Sequence, residues 1–198
     1  MSSINSPEYS SFLPEKLKLF LKRRLKEIIG TMIIIFSLSL LSSIWFFNPN
    51  DPVSYFNSSS VNISNILGVF GSESSGILLH LFGVTALPIC FCGIFWGARL
   101  LMHESIKNPK LRLLTLMPSF AAISIASSSI DFNISYLPQG TGGLIGIVGY
   151  RQFPVLSDQW AFGYLSGGRW PFSLITILIA IPLYLWGSAA SKKEASVI

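Results

Sequence analysis

The chain has 198 residues, of which 51% are apolar and 12% charged, with a net charge of +5 and a mean hydropathy of +0.58. A soluble domain carries about a quarter charged residues, so this composition excludes a surface covered by water and suits one solvated by lipid. The basic balance does not read as a nucleic-acid face, because the lysines and arginines cluster beside apolar runs.

Ahead of the first apolar run, Pro14-Glu15 marks a helix start. Leu17, Phe20, Leu21, Leu25 and Ile28 then recur at helical spacing, with bases at the other positions. This predicts a cytoplasmic basic amphipathic segment over residues 1–27, its helix lying on the inner leaflet before the chain turns into the membrane. Its bases both attract anionic lipid, at ~1 kcal/mol each, and fix topology while snorkelling; neither reading is a partner-binding motif.

The uncharged run 28–47 is the first predicted span, long enough at ~1.5 Å per residue to cross ~30 Å of hydrocarbon. It exceeds the apolar region of a signal peptide and lacks a small-residue cleavage pattern, so it reads as a retained anchor. Asn48-Pro49-Asn50-Asp51-Pro52 is a turn-rich exit into an outer loop, 48–76, rich in serine and asparagine. The N-x-S triplets opened by Asn57, Asn62 and Asn133 arise easily by chance in such composition.

The second predicted span, 77–101, contains His80 and ends at Arg99. Cys90 and Cys92 point ~200° apart on a helix and serve as small apolar fillers. Gly93 and Gly97 form a G-x-x-x-G, with Gly83 further along. That spacing suits close helix packing, read here as packing inside the bundle rather than an oligomer face. The third span, 113–130, carries Pro118 near its start. In the outer loop 131–171, the segment Leu137–Gly149 is apolar and glycine-dense but too short to span. Its Gly140–Gly149 stretch is a re-entrant or interfacial turn, or a helix whose glycines admit a neighbour. The fourth span, 172–190, contains Pro182, and a cytoplasmic tail, 191–198, follows. Trp45, Trp96, Trp170 and Trp186 fall near span ends, as interfacial rings do.

Basic residues orient these spans. They are dense before span one, absent from 48–76, dense in the second connection (Arg99, Lys107, Lys110, Arg112), sparse in 131–171 (Arg151, Arg169), and present again at Lys192 and Lys193. That alternation places both termini inside, around a four-helix membrane domain over 28–190. The predicted fold class is all-α: a four-transmembrane-helix bundle with an N-terminal amphipathic juxtamembrane helix.

Catalytic, cofactor-binding and metal-binding residues are each predicted as none. His80, an ionisable group inside a span, sits near the outer end of its helix, and His103 lies at the opposite end of the same segment, too far to share a metal. Asp131 and Asp158 lie in the outer loop rather than at depth. A transporter would show charged or broken-helix features near the midplane. Only Pro118 and Pro182 break the pattern, and no charge accompanies them. No G-x-x-x-x-G-K-[ST] occurs, which excludes a Walker-type site within these residues.

Asn48-Pro49-Asn50-Asp51-Pro52-Val53-Ser54-Tyr55 resembles the N-P-x-D-P turn of the FtsK/SpoIIIE DNA translocases. Asn65-Ile66-Leu67-Gly68-Val69-Phe70-Gly71, Leu81-Phe82-Gly83-Val84-Thr85-Ala86-Leu87-Pro88, Trp96-Gly97-Ala98-Arg99 and the pair Gly142-Gly143 are similar to elements of that family, in its order. The resemblance runs from about Arg24 to Ser188 and covers the family's N-terminal membrane domain. It implies a membrane anchor that acts in cell division and chromosome partition at the septum. The partners it implies are the lipid bilayer, other division proteins and further copies of the chain. DNA and ATP would be engaged only through a motor domain that these residues do not include, and no cofactor is expected. The chain reads as a shortened protein, the anchoring half of a split protein, or a piece cut at the domain boundary. The alternative is an unrelated small multi-pass protein such as a transporter.

Overall fold

A computed structural model describes residues 14–53, 62–104, 106, 108–130, 137, 139–152 and 169–188, with only the backbone described for 169–172. The described residues form helices α1 (Glu15–Trp45), α2 (Gly68–Phe82), α3 (Ala86–Leu101), α4 (Pro109–Ser129), α5 (Gly143–Gln152) and α6 (Arg169–Gly187). A short 3-10 turn, Gly83–Thr85, joins α2 to α3. Three helical segments, Glu15–Trp45, Gly68–Leu101 and Pro109–Ser129, are long and apolar enough to cross a membrane, and Ser173–Gly187 is a shorter apolar helix. The architecture is an all-α four-transmembrane bundle.

α1 runs unbroken for 31 residues, about 46 Å at ~1.5 Å per residue. The sequence reading has the basic segment lie on the leaflet and turn inward; instead it shares one axis with the span. No breaker occurs between Lys26 and Ile28, and across the junction the Thr31 hydroxyl donates to the Glu27 carbonyl at 2.9 Å. α1 is a single helix across this junction, so backbone hydrogen bonding continues where a turn would have left groups unpaired.

α1 and α3 pack antiparallel through small residues. A side chain on Gly97 would strike the Gly30 carbonyl and Ile34, and one on Gly93 would strike the Ser37 hydroxyl. The G-x-x-x-G face thus holds α1 inside the bundle, as the spacing suggests. α4 and α6 form the second antiparallel pair: Gly187 abuts Leu116 at one end, and the Ser129 hydroxyl donates to the Ser173 hydroxyl at 2.8 Å towards the other. The pairs are joined by the Trp96 indole N–H donating to the Gly187 carbonyl at 3.0 Å and the Tyr184 hydroxyl donating to the Pro88 carbonyl at 3.0 Å. Cys90 and Cys92 are both buried and unpaired as thiols, in keeping with filler roles.

The predicted span 77–101 belongs to a longer helical run that starts at Gly68, inside the predicted outer loop, and breaks at Gly83. Gly83 has φ 57° and ψ −133°, a conformation open essentially only to glycine. α5 fills the space beside the break. A side chain on Gly142 or Gly146 would meet the Ser124 carbonyl and the Ser128 hydroxyl of α4. Of the readings left open for Gly140–Gly149, the helix that admits a close neighbour is the one realised.

Candidate functional site: the polar ends of the bundle

Polar side chains concentrate at the two ends. At the end reached by Trp45, the chain leaves α1 through Asn48-Pro49-Asn50-Asp51-Pro52 and is tied back on itself. Asp51 is 3% exposed. Its carboxylate accepts the backbone N–H of Ser64 at 3.0 Å, the Ser64 hydroxyl, and the backbone N–H of Asn65 at 2.9 Å. Asn65 is 4% exposed, and its amide donates to the Ser43 and Phe46 carbonyls at 2.9 and 3.2 Å, the unpaired end of α1. Its side-chain oxygen accepts the Leu67 N–H at 3.1 Å, and Asn48 donates to the Ser64 hydroxyl at 2.7 Å. A buried carboxylate is tolerated when its lone pairs are met this fully. This knot seals the end of α1 and launches α2.

The break lies nearby. The freed Val84 N–H donates to the Thr141 carbonyl at 2.8 Å, and the Thr141 hydroxyl donates to the Ser127 carbonyl at 2.6 Å. The amide released by the break is therefore met by the glycine-dense segment. His80 lies in the last turn of α2, before the break. A broken helix is a transporter-like feature that the sequence reading did not foresee, but here its backbone binds another part of the same chain.

The opposite end is basic. Arg112 is 2% exposed and donates to the Trp186 carbonyl at 2.6 Å, with its guanidinium 5.0 Å from the Trp186 ring centre. Together with the Trp96 indole it caps the last carbonyls of α6, where a cation also meets the negative end of the helix dipole. The end of α3 folds into a Schellman cap: the His103 N–H donates to the Leu100 carbonyl at 3.2 Å and the Glu104 N–H to the Arg99 carbonyl at 3.0 Å. His103 occupies the left-handed position, with φ 58°. This cap aims its ring at α1, where Nε2 lies 3.1 Å from Glu27 Oε1. Arg24 pairs with the other Glu27 oxygen at 2.6 Å. That hydrogen bond holds the Glu27 carboxyl below the usual carboxylate range, and the charges of Arg24 and His103 act the same way.

The structure thus keeps His80 and His103 at opposite ends, and Asp131 and Asp158 lie outside the described residues. Among the described residues no three metal-ligating side chains gather. In the sequence Arg112 stands out only as one of the bases that orient the spans, and Asp51 and Asn65 only as parts of a turn and a resemblance. The signal for Arg112 was slight: an arginine between leucines, inside the helix that Pro109 starts.

Residues 22–189 match the family described as the 4TM region of DNA translocase FtsK/SpoIIIE. The chain is 30% identical over 122 residues to the DNA translocase FtsK of Rickettsia typhi, covering 61% of this chain and 15% of that protein. It is 29% identical over 126 residues to that of Rickettsia bellii, covering 63% and 16%, and 26% identical over 106 residues to that of Azospirillum brasilense, covering 53% and 17%. The matched region is therefore about a sixth of these relatives. No solved structure matches the chain.

Proposed function

Since the chain belongs to the FtsK/SpoIIIE family through its four-transmembrane region, we propose that it anchors a translocase of this type at the division septum, in cell division and chromosome segregation. The observation that carries this is a coincidence of sequence and structure. The residues that mark the family resemblance, Asn48, Asp51, Asn65, Gly83, Trp96 and Gly142, are those that make the polar knot, the helix break and the α3–α6 tie. The membrane domain is thus built around the elements that carry the resemblance.

In this reading residues 1–27 and 191–198 face the cytoplasm, the bundle over 28–190 lies in the inner membrane, and the loops 48–76 and 131–171 face outward. The positive-inside distribution of bases supports that orientation. The role is mechanical rather than catalytic. ATP and DNA are handled by a motor outside the matched region, while the bundle meets lipid, other division proteins and copies of itself. A fluorescent fusion of the chain, expressed in dividing cells, tests this: the expected result is a midcell band that appears with constriction. A uniform peripheral signal through division rejects the septal role.

A further inference from the structure

The basic end of the bundle also holds a cleft. It measures about 460 Å³ and is lined by Leu19, Lys22, Arg23, Lys26 and His103. The first four share a face of α1, at spacings of three and four residues, and His103 is held opposite by the Schellman cap of α3. We propose that these residues form a binding site for the phosphate headgroup of an anionic phospholipid.

Three observations favour this ligand. First, the charge is available. Among the described residues no ion pair involves Lys22, Arg23 or Lys26, whereas the neighbouring carboxylate, Glu27, has one oxygen against Arg24 and the other against His103. Second, the depth is right. Lys26 stands beside the start of the uncharged run at Ile28, and Lys22 is one turn further out, ~6 Å along the axis. That range matches a headgroup layer of ~5–7 Å on each side of the hydrocarbon. Because α1 continues unbroken from these bases into the span, they stay beside it rather than spreading over the leaflet. Third, the site has an apolar side: Leu19 lines the cleft, and the two residues that precede His103 in the chain, Leu101 and Met102, are exposed apolar side chains. A lipid brings acyl chains to such apolar side chains; free phosphate or a nucleic-acid backbone brings only charge.

The test uses the purified full chain in detergent micelles, with bound lipid counted by native mass spectrometry. Phosphatidylglycerol and phosphatidylcholine are added in turn. The chain is expected to retain phosphatidylglycerol in preference, and K22A/R23A/K26A to weaken that retention about tenfold or more, given ~1 kcal/mol per base. A matched control, K16A/K18A/K110A, removes the same charge outside the cleft and is expected to stay within about twofold of the parent, as is the charge-preserving K22R/K26R. Equal loss in both alanine triples means diffuse attraction and overturns the site. So does equal retention of phosphatidylcholine, or displacement of phosphatidylglycerol by inorganic phosphate or a short DNA duplex.

Discussion

Asp51 carries a formal charge at a position almost closed to solvent, and it is kept there by two successive residues, Ser64 and Asn65, which meet its oxygens. Replacing it with alanine leaves those donors and the hydroxyl of Ser64 facing a void. The expected loss is about 2–4 kcal/mol, the range for buried polar groups stripped of their partner. D51N, which keeps one acceptor oxygen, is expected to lose about half as much. Unfolding in mixed detergent and SDS micelles, followed by circular dichroism, measures both; equal stability of D51A and the parent would show that the knot does not support the fold. At this scale the sequence was partly legible. The turn residues around Asp51 announced an exit from the helix, but its partners lie 13 and 14 positions away, beyond any local pattern. Arg112 was harder still, since the carbonyl it caps is 74 positions distant.

Helix existence was read well from run length, because a bilayer demands roughly 20 apolar residues per crossing. Helix interruption was not. A glycine inside an apolar run is ordinary in membrane helices, and what breaks the run at Gly83 is the Thr141 carbonyl, delivered by a distant loop. Two positive-φ glycines separate the contributions. Gly68, at φ 61°, has open space around a would-be side chain, whereas one on Gly83 would strike the Thr141 carbonyl and the Gly143 amide. G68A is expected to cost about 1–2 kcal/mol, the left-handed strain alone. G83A combines strain with collision and is expected to cost about 3 kcal/mol or more. The same unfolding assay applies, and equal costs would mean that the loop does not lock the break. α1 makes the converse point. Amphipathic spacing marked its basic half, but spacing cannot say whether a helix bends at the interface; the glycine near that junction, Gly30, packs against Gly97 of α3 inside the continuous helix rather than breaking it.

Over the whole molecule, hydropathy and the placement of bases were enough to define a four-span membrane protein, and the family match over residues 22–189 agrees with it. What they left out is how the bundle coheres. Each antiparallel pair packs through serine and glycine, and Trp96 and Tyr184 tie the pairs together, with a polar knot at one end and an arginine–tryptophan cap at the other. In lipid, where apolar surface gains little from burial between helices, such close small-residue contacts and hydrogen bonds hold helices together. The cap sits where α6 ends and ties Trp186 and Gly187 to α4 and α3. The most direct measurement is a domain exchange: a translocase of the FtsK type has its own four-transmembrane region replaced by residues 22–188 of this chain, in cells lacking the native protein. Restored midcell localisation and chromosome segregation is the predicted result. A hybrid that inserts stably yet spreads evenly around the cell and leaves segregation defective would contradict the account.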